Sequence, residues 1–149
     1  WLHDGEPIRR PRLVRLLSTL LCREADGDYY LVTPVEKWRI GVEDRPFLVV
    51  DADAGIEAGK TAPVWQMLTN VGDRVTLDGD HRLVLSETPR GEPVPEVAIR
   101  FGLAARLHRN VYYRLVEQAE QYRQSGGIAL GLTSGGVWQP LGWFDEAEP

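Results

Sequence analysis

Cysteine, methionine and lysine are scarce in this chain: its 149 residues hold one cysteine (Cys22), one methionine (Met67) and two lysines (Lys37 and Lys60). A single thiol permits no internal disulfide and excludes a four-cysteine zinc site. Long apolar runs are missing too. The stretch Leu16–Leu21 is short and broken by Ser18 and Thr19, so no membrane span is expected. The first residues, Trp1-Leu2-His3-Asp4, have neither a charged lead nor an apolar run, so no signal peptide is read. The opening on Trp1 rather than Met predicts residues upstream, and a cytoplasmic location is the expectation. His3, His81 and His108 have no metal-ligand spacing, and no G-x-S-x-G, P-loop or H-E-x-x-H string occurs. No catalytic residue, cofactor or metal is predicted.

What is present is a globular composition. Hydrophobic residues make up 43% and charged residues 26%, which suits one medium domain or two small ones sharing a core. The net charge of −5 argues against duplex nucleic acid as a partner. Of 17 basic residues fifteen are arginine, and Arg9, Arg10, Arg12, Arg15 and Arg23 crowd the start against only Asp4 and Glu6. Arginine suits bidentate recognition of carboxylate or phosphate, although a GC-rich genome produces the same bias.

Pro11 to Cys22 reads as a helix, with Leu13, Leu16, Leu17 and Leu20 on one stripe and Pro11 at the first helical position. Asp26-Gly27-Asp28 is a turn, Tyr29–Thr33 a short strand, and Glu36–Glu43 a strand alternating Trp38, Ile40 and Val42 against charged residues. Asp44-Arg45-Pro46 breaks it. Phe47–Val50, Val64–Thr69, Arg74–Leu77, Arg82–Leu85 and Val94–Phe101 follow as strands, which suggests a small barrel or bent sheet. A second helix runs over about 110–123 with Asn110 as N-cap and Tyr112, Leu115, Val116 and Ala119 on one face. Ile128–Leu132 and Val137–Trp143 are the last two strands.

Shifted by ninety-nine positions, Ile8 to Pro34 falls on Leu107 to Thr133 without a gap. Arg10, Arg15, Leu16, Gly27 and Leu31 then meet Arg109, Arg114, Leu115, Gly126 and Leu130, which reads as an internal duplication of a helix-plus-sheet unit. The expected boundaries are a small α+β unit over 1–45 and a β-rich unit over 46–149.

Asp51-Ala52-Asp53-Ala54-Gly55 matches only the first half of a calcium loop and reads as a strand leaving for a turn. Gly126-Gly127, Gly131 and Gly135-Gly136 follow a helix and read as turn punctuation, not a dinucleotide fingerprint. Asp80-His81 is an acid beside a surface histidine, Cys22 a small core thiol, and Trp38 and Tyr112 core aromatics by their positions. The arginines before each helix, Arg9-Arg10 and Arg109, stand where free N–H groups favour an anion.

Several strings together carry a resemblance. Arg10-Pro11-Arg12-Leu13-Val14-Arg15-Leu16-Leu17-Ser18, Tyr30-Leu31-Val32-Thr33-Pro34-Val35-Glu36-Lys37 and Val42-Glu43-Asp44-Arg45-Pro46-Phe47 occur in order. Thr69-Asn70-Val71-Gly72-Asp73 and Val97-Ala98-Ile99-Arg100-Phe101-Gly102-Leu103 complete the set. This resembles the bacterial family catalogued as domain of unknown function 1285, from about Asp4 to Trp138. The chain departs from that pattern at Arg82 and Asn110, where the family carries proline.

The resemblance implies a duplicated α+β architecture whose larger C-terminal unit is a β-rich roll or barrel of pleckstrin-homology-like shape. It also implies a ligand site between the units and a role in signal transduction. The motif positions with free chemistry are Arg10, Glu36, Lys37, Asn70, Asp73 and Arg100, expected to line that cleft. The leading functional expectation is a non-enzymatic binding or sensory protein for a polar or anionic small molecule. The alternatives are an enzyme with Glu36 or Asp73 as general base, and an adaptor or homo-oligomer that takes a protein partner on a β-edge or on Trp138–Phe144.

Overall fold

The structure, a computed structural model, describes residues 1–56, 59 and 62–145. The chain opens with a hairpin, β1 (Leu2–His3) and β2 (Glu6–Pro7), closed by Asp4 and Gly5, both at positive φ. Asp-Gly is the dipeptide that such a two-residue hairpin turn prefers. Helix α1 (Pro11–Leu20) starts on Pro11 and passes directly into β3 (Leu21–Arg23), which pairs antiparallel with β4 (Tyr29–Val32); β4 pairs in turn with β5 (Lys37–Ile40). In the turn after β3, the Asp28 N–H donates to Asp26 Oδ1 at 2.9 Å, and Gly27 has φ 85°.

A six-stranded sheet follows. It comprises β6 (Phe47–Ile56), β7 (Pro63–Thr69), β8 (Arg74–Thr76), β9 (Leu83–Glu87), β10 (Pro93–Arg100) and β11 (Leu103–Leu107), in the order β8-β7-β6-β11-β10-β9. All its pairs are antiparallel except β6 with β11, which brings Phe47–Val49 beside Ala105–Leu107. Helix α2 (Arg109–Glu117) and a three-stranded antiparallel sheet of β12 (Glu120–Gln124), β13 (Gly127–Ser134) and β14 (Val137–Asp145) complete the chain. Strand β14 lies against β9 and β10, and β13 against β7, so this last sheet closes over the six-stranded one. The α+β class stands, with strand far outweighing helix.

Almost all of the core belongs to the later residues. Phe47, Val49, Met67, Leu77, Leu83, Val97, Leu103, Leu115 and Leu141 are shut off from solvent, whereas residues 1–45 contribute only Ser18, Leu21 and Tyr29 to the buried set. Two polar residues tie the sheets together. Gln139 Oε1 accepts from the Leu83 N–H at 2.8 Å while its Nε2 donates to the Asp78 carbonyl; Ser134 Oγ accepts from the Trp65 N–H and donates to the Leu77 carbonyl.

Several local expectations need correction. The first helix ends at Leu20, and only part of its leucine stripe is packed: Leu13 and Leu16 are exposed, while Leu17 turns inward with Val14 and Ser18. The second helix stops at Glu117, and Glu120–Gln124, expected to be helical, is a strand exposed along its whole length. Its N-cap is His108, whose Nδ1 accepts from the Asn110 N–H, rather than Asn110. Strand β6 runs on through Asp51-Ala52-Asp53 to Ile56. Gly135 and Gly136, both at positive φ, form the β13–β14 turn, but Gly127 and Gly131 sit within β13, where the Trp143 and Trp138 rings cover them. Strand β11 lies where no strand was expected.

Candidate functional site

The N-terminal layer meets the six-stranded sheet along a seam held at two places. At the first, Arg100 at the end of β10 donates to the Ser18 carbonyl at 3.0 Å, near the C-terminus of α1 where a cation offsets the helix dipole. The same guanidinium reaches both oxygens of Asp73, each at 3.3 Å, and lies over the Phe47 ring. Beside it the Arg23 N–H donates to the Phe101 carbonyl; the φ of 74° at Gly102 favours glycine, and a Cβ there would stand a tight 3.1 Å from the Arg23 carbonyl oxygen.

The second clamp is Asp44-Arg45, the pair expected merely to break a strand. Arg106 of β11, 4% exposed, sends Nε and Nη2 to the two Asp44 oxygens at 3.0 and 2.7 Å. Its remaining N–H groups reach the carbonyls of Ser86, Glu87 and Val94 and the Ser86 hydroxyl. Arg45 forms a matching fork to Glu96 of β10 at 2.9 and 2.7 Å. The Arg45 hydrogen bonds hold the Glu96 carboxyl below the usual carboxylate range, against the opposing effect of its burial.

An open cleft lies between these clamps and the N-terminal sheet. Its larger part, about 620 Å³, is walled by Trp1, Leu17, Leu21, Leu31, Trp38 and Val42, with Arg45 and Pro46 at the seam. A polar hollow of about 490 Å³ adjoins it, carrying Arg23, Asp28, Arg39, Asp44 and Arg45. The two share Ile40, Gly41, Val42 and Arg45. The apolar face that alternation assigns to Trp38, Ile40 and Val42 is therefore real, but it fronts a cleft: Trp38 is 56% exposed. Arg39 pairs at 3.5 Å with Asp28, and both side chains are well exposed.

The six residues singled out from sequence scatter. Asp73 and Arg100 pair, and Asn70 lies in the same β7–β8 turn, where its Oδ1 accepts from the Leu48 N–H at 3.1 Å. Lys37 is bound to Glu24 at 2.6 Å and lies over the Tyr30 ring. Glu36 is exposed in the β4–β5 turn, its N–H donating to Thr33 Oγ1. Arg10 is exposed at the N-cap of α1 and makes no side-chain capping bond. None of the six lines the cleft or the adjoining hollow.

Arg106 and Asp44 escaped the sequence reading, although an arginine inside the apolar string Leu103-Ala104-Ala105-Arg106-Leu107 was a signal. His81 does not pair with Asp80; its Nδ1 lies 3.0 Å from the Ala98 carbonyl. Trp138–Phe144 is no free tail but part of β14, paired with β13. Among the described residues, no cluster of His, Cys, Asp and Glu could hold a metal ion, and no helix is long and apolar enough to cross a membrane.

Fold and seam thus define a mostly β protein in which a thin N-terminal helix-and-sheet layer is clamped onto a larger sheet assembly, leaving a cleft at the join. The chain belongs to the DUF1285 family of proteins of unknown function: the model of its N-terminal domain matches residues 1–45 and that of its C-terminal domain residues 46–141. A DUF1285 family protein from Silicibacter pomeroyi DSS-3 is similar at 39% identity and a TM-score of 0.80, over 95% of this chain and 74% of that one. Another from Shewanella baltica OS155 is similar at 26% identity and a TM-score of 0.59, over 79% of this chain and 84% of that one. No curated protein matches.

Proposed function

We propose that the protein is a non-enzymatic binding protein, with a sensory role, for a small amphipathic molecule held in the seam cleft. The apolar body of the ligand lies against Trp38 and Leu31, and its anionic group points to Arg39 and Arg45. One observation carries this reading: an apolar cleft and an arginine-bearing hollow share a wall, and a half-exposed tryptophan fronts them. Apolar walls with a few convergent polar groups are the common form of a small-molecule site.

Anilinonaphthalene sulfonate, an aromatic body with a sulfonate, is a suitable first probe. Its fluorescence should rise on the wild type, and Trp38→Ala and Arg39→Ala should each weaken binding without unfolding the chain. Equal enhancement by all three proteins overturns the assignment. Direct ligand contact by Arg10, Glu36, Lys37, Asn70, Asp73 and Arg100 is the alternative placement, and it predicts that Lys37→Ala, not Trp38→Ala, reduces the signal.

The same proposal includes an internal duplication, with units over 1–45 and 46–149. Its support is that α1 and α2 are each followed by a three-stranded antiparallel meander at the ninety-nine-residue offset. The pleckstrin-homology-like shape of the larger unit rests on the way its last sheet closes over its first.

A further inference from the structure

The outward face of α1 carries a feature that the cleft does not use. Arg9, Arg10, Arg12 and Arg15 are all exposed, and none of their side chains makes a hydrogen bond or ion pair among the described residues. At the seam, by contrast, Arg39 pairs with Asp28, Arg45 with Glu96, Arg100 with Asp73 and Arg106 with Asp44. Within this uncompensated cluster Leu16 is 58% exposed and Leu13 39% exposed. Helical spacing sets Arg12 on the same face as Leu16, one turn away, so the exposed leucines adjoin guanidinium groups.

We propose that this face docks on an anionic lipid bilayer, the arginines on phosphate-bearing headgroups and Leu13 and Leu16 entering the interface. Basic clusters on an amphipathic helix are the pattern such surfaces attract. Two features favour a bilayer over other polyanions. The segment Pro11–Leu20 contains no aromatic ring on which nucleic-acid bases could stack. The hollow on this face is walled only by Arg9–Arg10 and the first turns of α1, so no second element forms a groove for a partner's helix or strand, and a flat surface requires none. The net charge of −5 becomes −9 once these four are set aside (−5 − 4 = −9), so the rest of the chain is repelled by the same bilayer and the orientation is fixed.

The test is co-sedimentation of the full chain with phosphatidylcholine vesicles with and without phosphatidylglycerol, at low and high salt. The wild type should sediment with the anionic vesicles only. Arg12→Glu/Arg15→Glu should weaken this at least about tenfold, as should salt raised to about 0.5 M. Leu16→Asp should weaken it as well, with the circular dichroism spectrum of both variants unchanged. Absence of sedimentation at low salt, equal sedimentation with neutral vesicles, or indifference to the charge reversal overturns the proposal. Retention of RNA without vesicle binding also overturns it and reassigns the face to nucleic acid.

Discussion

Removing the Asp44 carboxylate should destabilise the protein more than its position in a linker suggests. Arg106 is almost wholly buried and spends two of its N–H groups on Asp44; the others reach carbonyls and one hydroxyl, none of which neutralises its charge. Breaking a buried pair from one side costs about 3–5 kcal/mol, because the remaining charge stays in a low-dielectric site. The Asp44 side chain is 26% exposed and Glu96 lies close enough to share the field, so the figure here is reduced to about 2–4 kcal/mol. At about 2–4 °C per kcal/mol for a chain of this size, Asp44→Ala should lower the melting temperature by about 5–15 °C. Equilibrium urea unfolding of Asp44→Ala, Arg106→Met and the double variant closes a cycle, and its coupling should exceed about 1 kcal/mol. A single variant within about 0.5 kcal/mol of wild type, or an additive cycle, would refute the claim that this pair clamps the seam.

Other consequences follow from the same geometry. The Glu96 carboxyl titrates lower in the folded than in the unfolded chain, so its contribution is complete above the unfolded value near about 4.3 and is lost as pH falls through the folded value. Urea stability should therefore fall steeply below about pH 4, and Glu96→Gln should flatten that limb while lowering stability at pH 7. Gly131→Ala would press a methyl into the Gln139 carbonyl and the Trp138 ring, 2.6 Å away, and should cost about 1–3 kcal/mol or more in denaturant unfolding. Gln139→Leu orphans the buried Leu83 N–H and should cost about 1–3 kcal/mol, whereas surface Glu36→Gln should change stability by less than about 0.5 kcal/mol.

Much of the fold was legible because its signals are local. Alternation marked β5, turn residues and prolines bounded the strands read at β4, β7 and β10, and Pro11 marked the start of α1 to the residue. Legibility failed where a local pattern has a tertiary meaning. The leucine stripe of α1 predicts an apolar face, but the N-terminal layer is too thin to cover all of it: Leu17 turns inward with Val14 and Ser18, while Leu13 and Leu16 stay exposed. Glu120–Gln124 has no apolar alternation, and it became a strand because β13 offers it a full ladder. For the seam, Trp38 and Val42 were noticed for their face but not for its open front. The pairings within the clamps were not legible: Asp44 and Arg106 are 62 positions apart and come together where β11 lies parallel to β6.

The most direct test of the cleft is native mass spectrometry of the protein purified gently from its own host, followed by a thermal-shift titration with any small molecule it releases. The expected result is an anionic amphipathic compound that raises the melting temperature of the wild type and not that of Trp38→Ala. A compound that shifts both proteins equally, or a bare chain whose melting temperature no amphipathic anion raises, would contradict it.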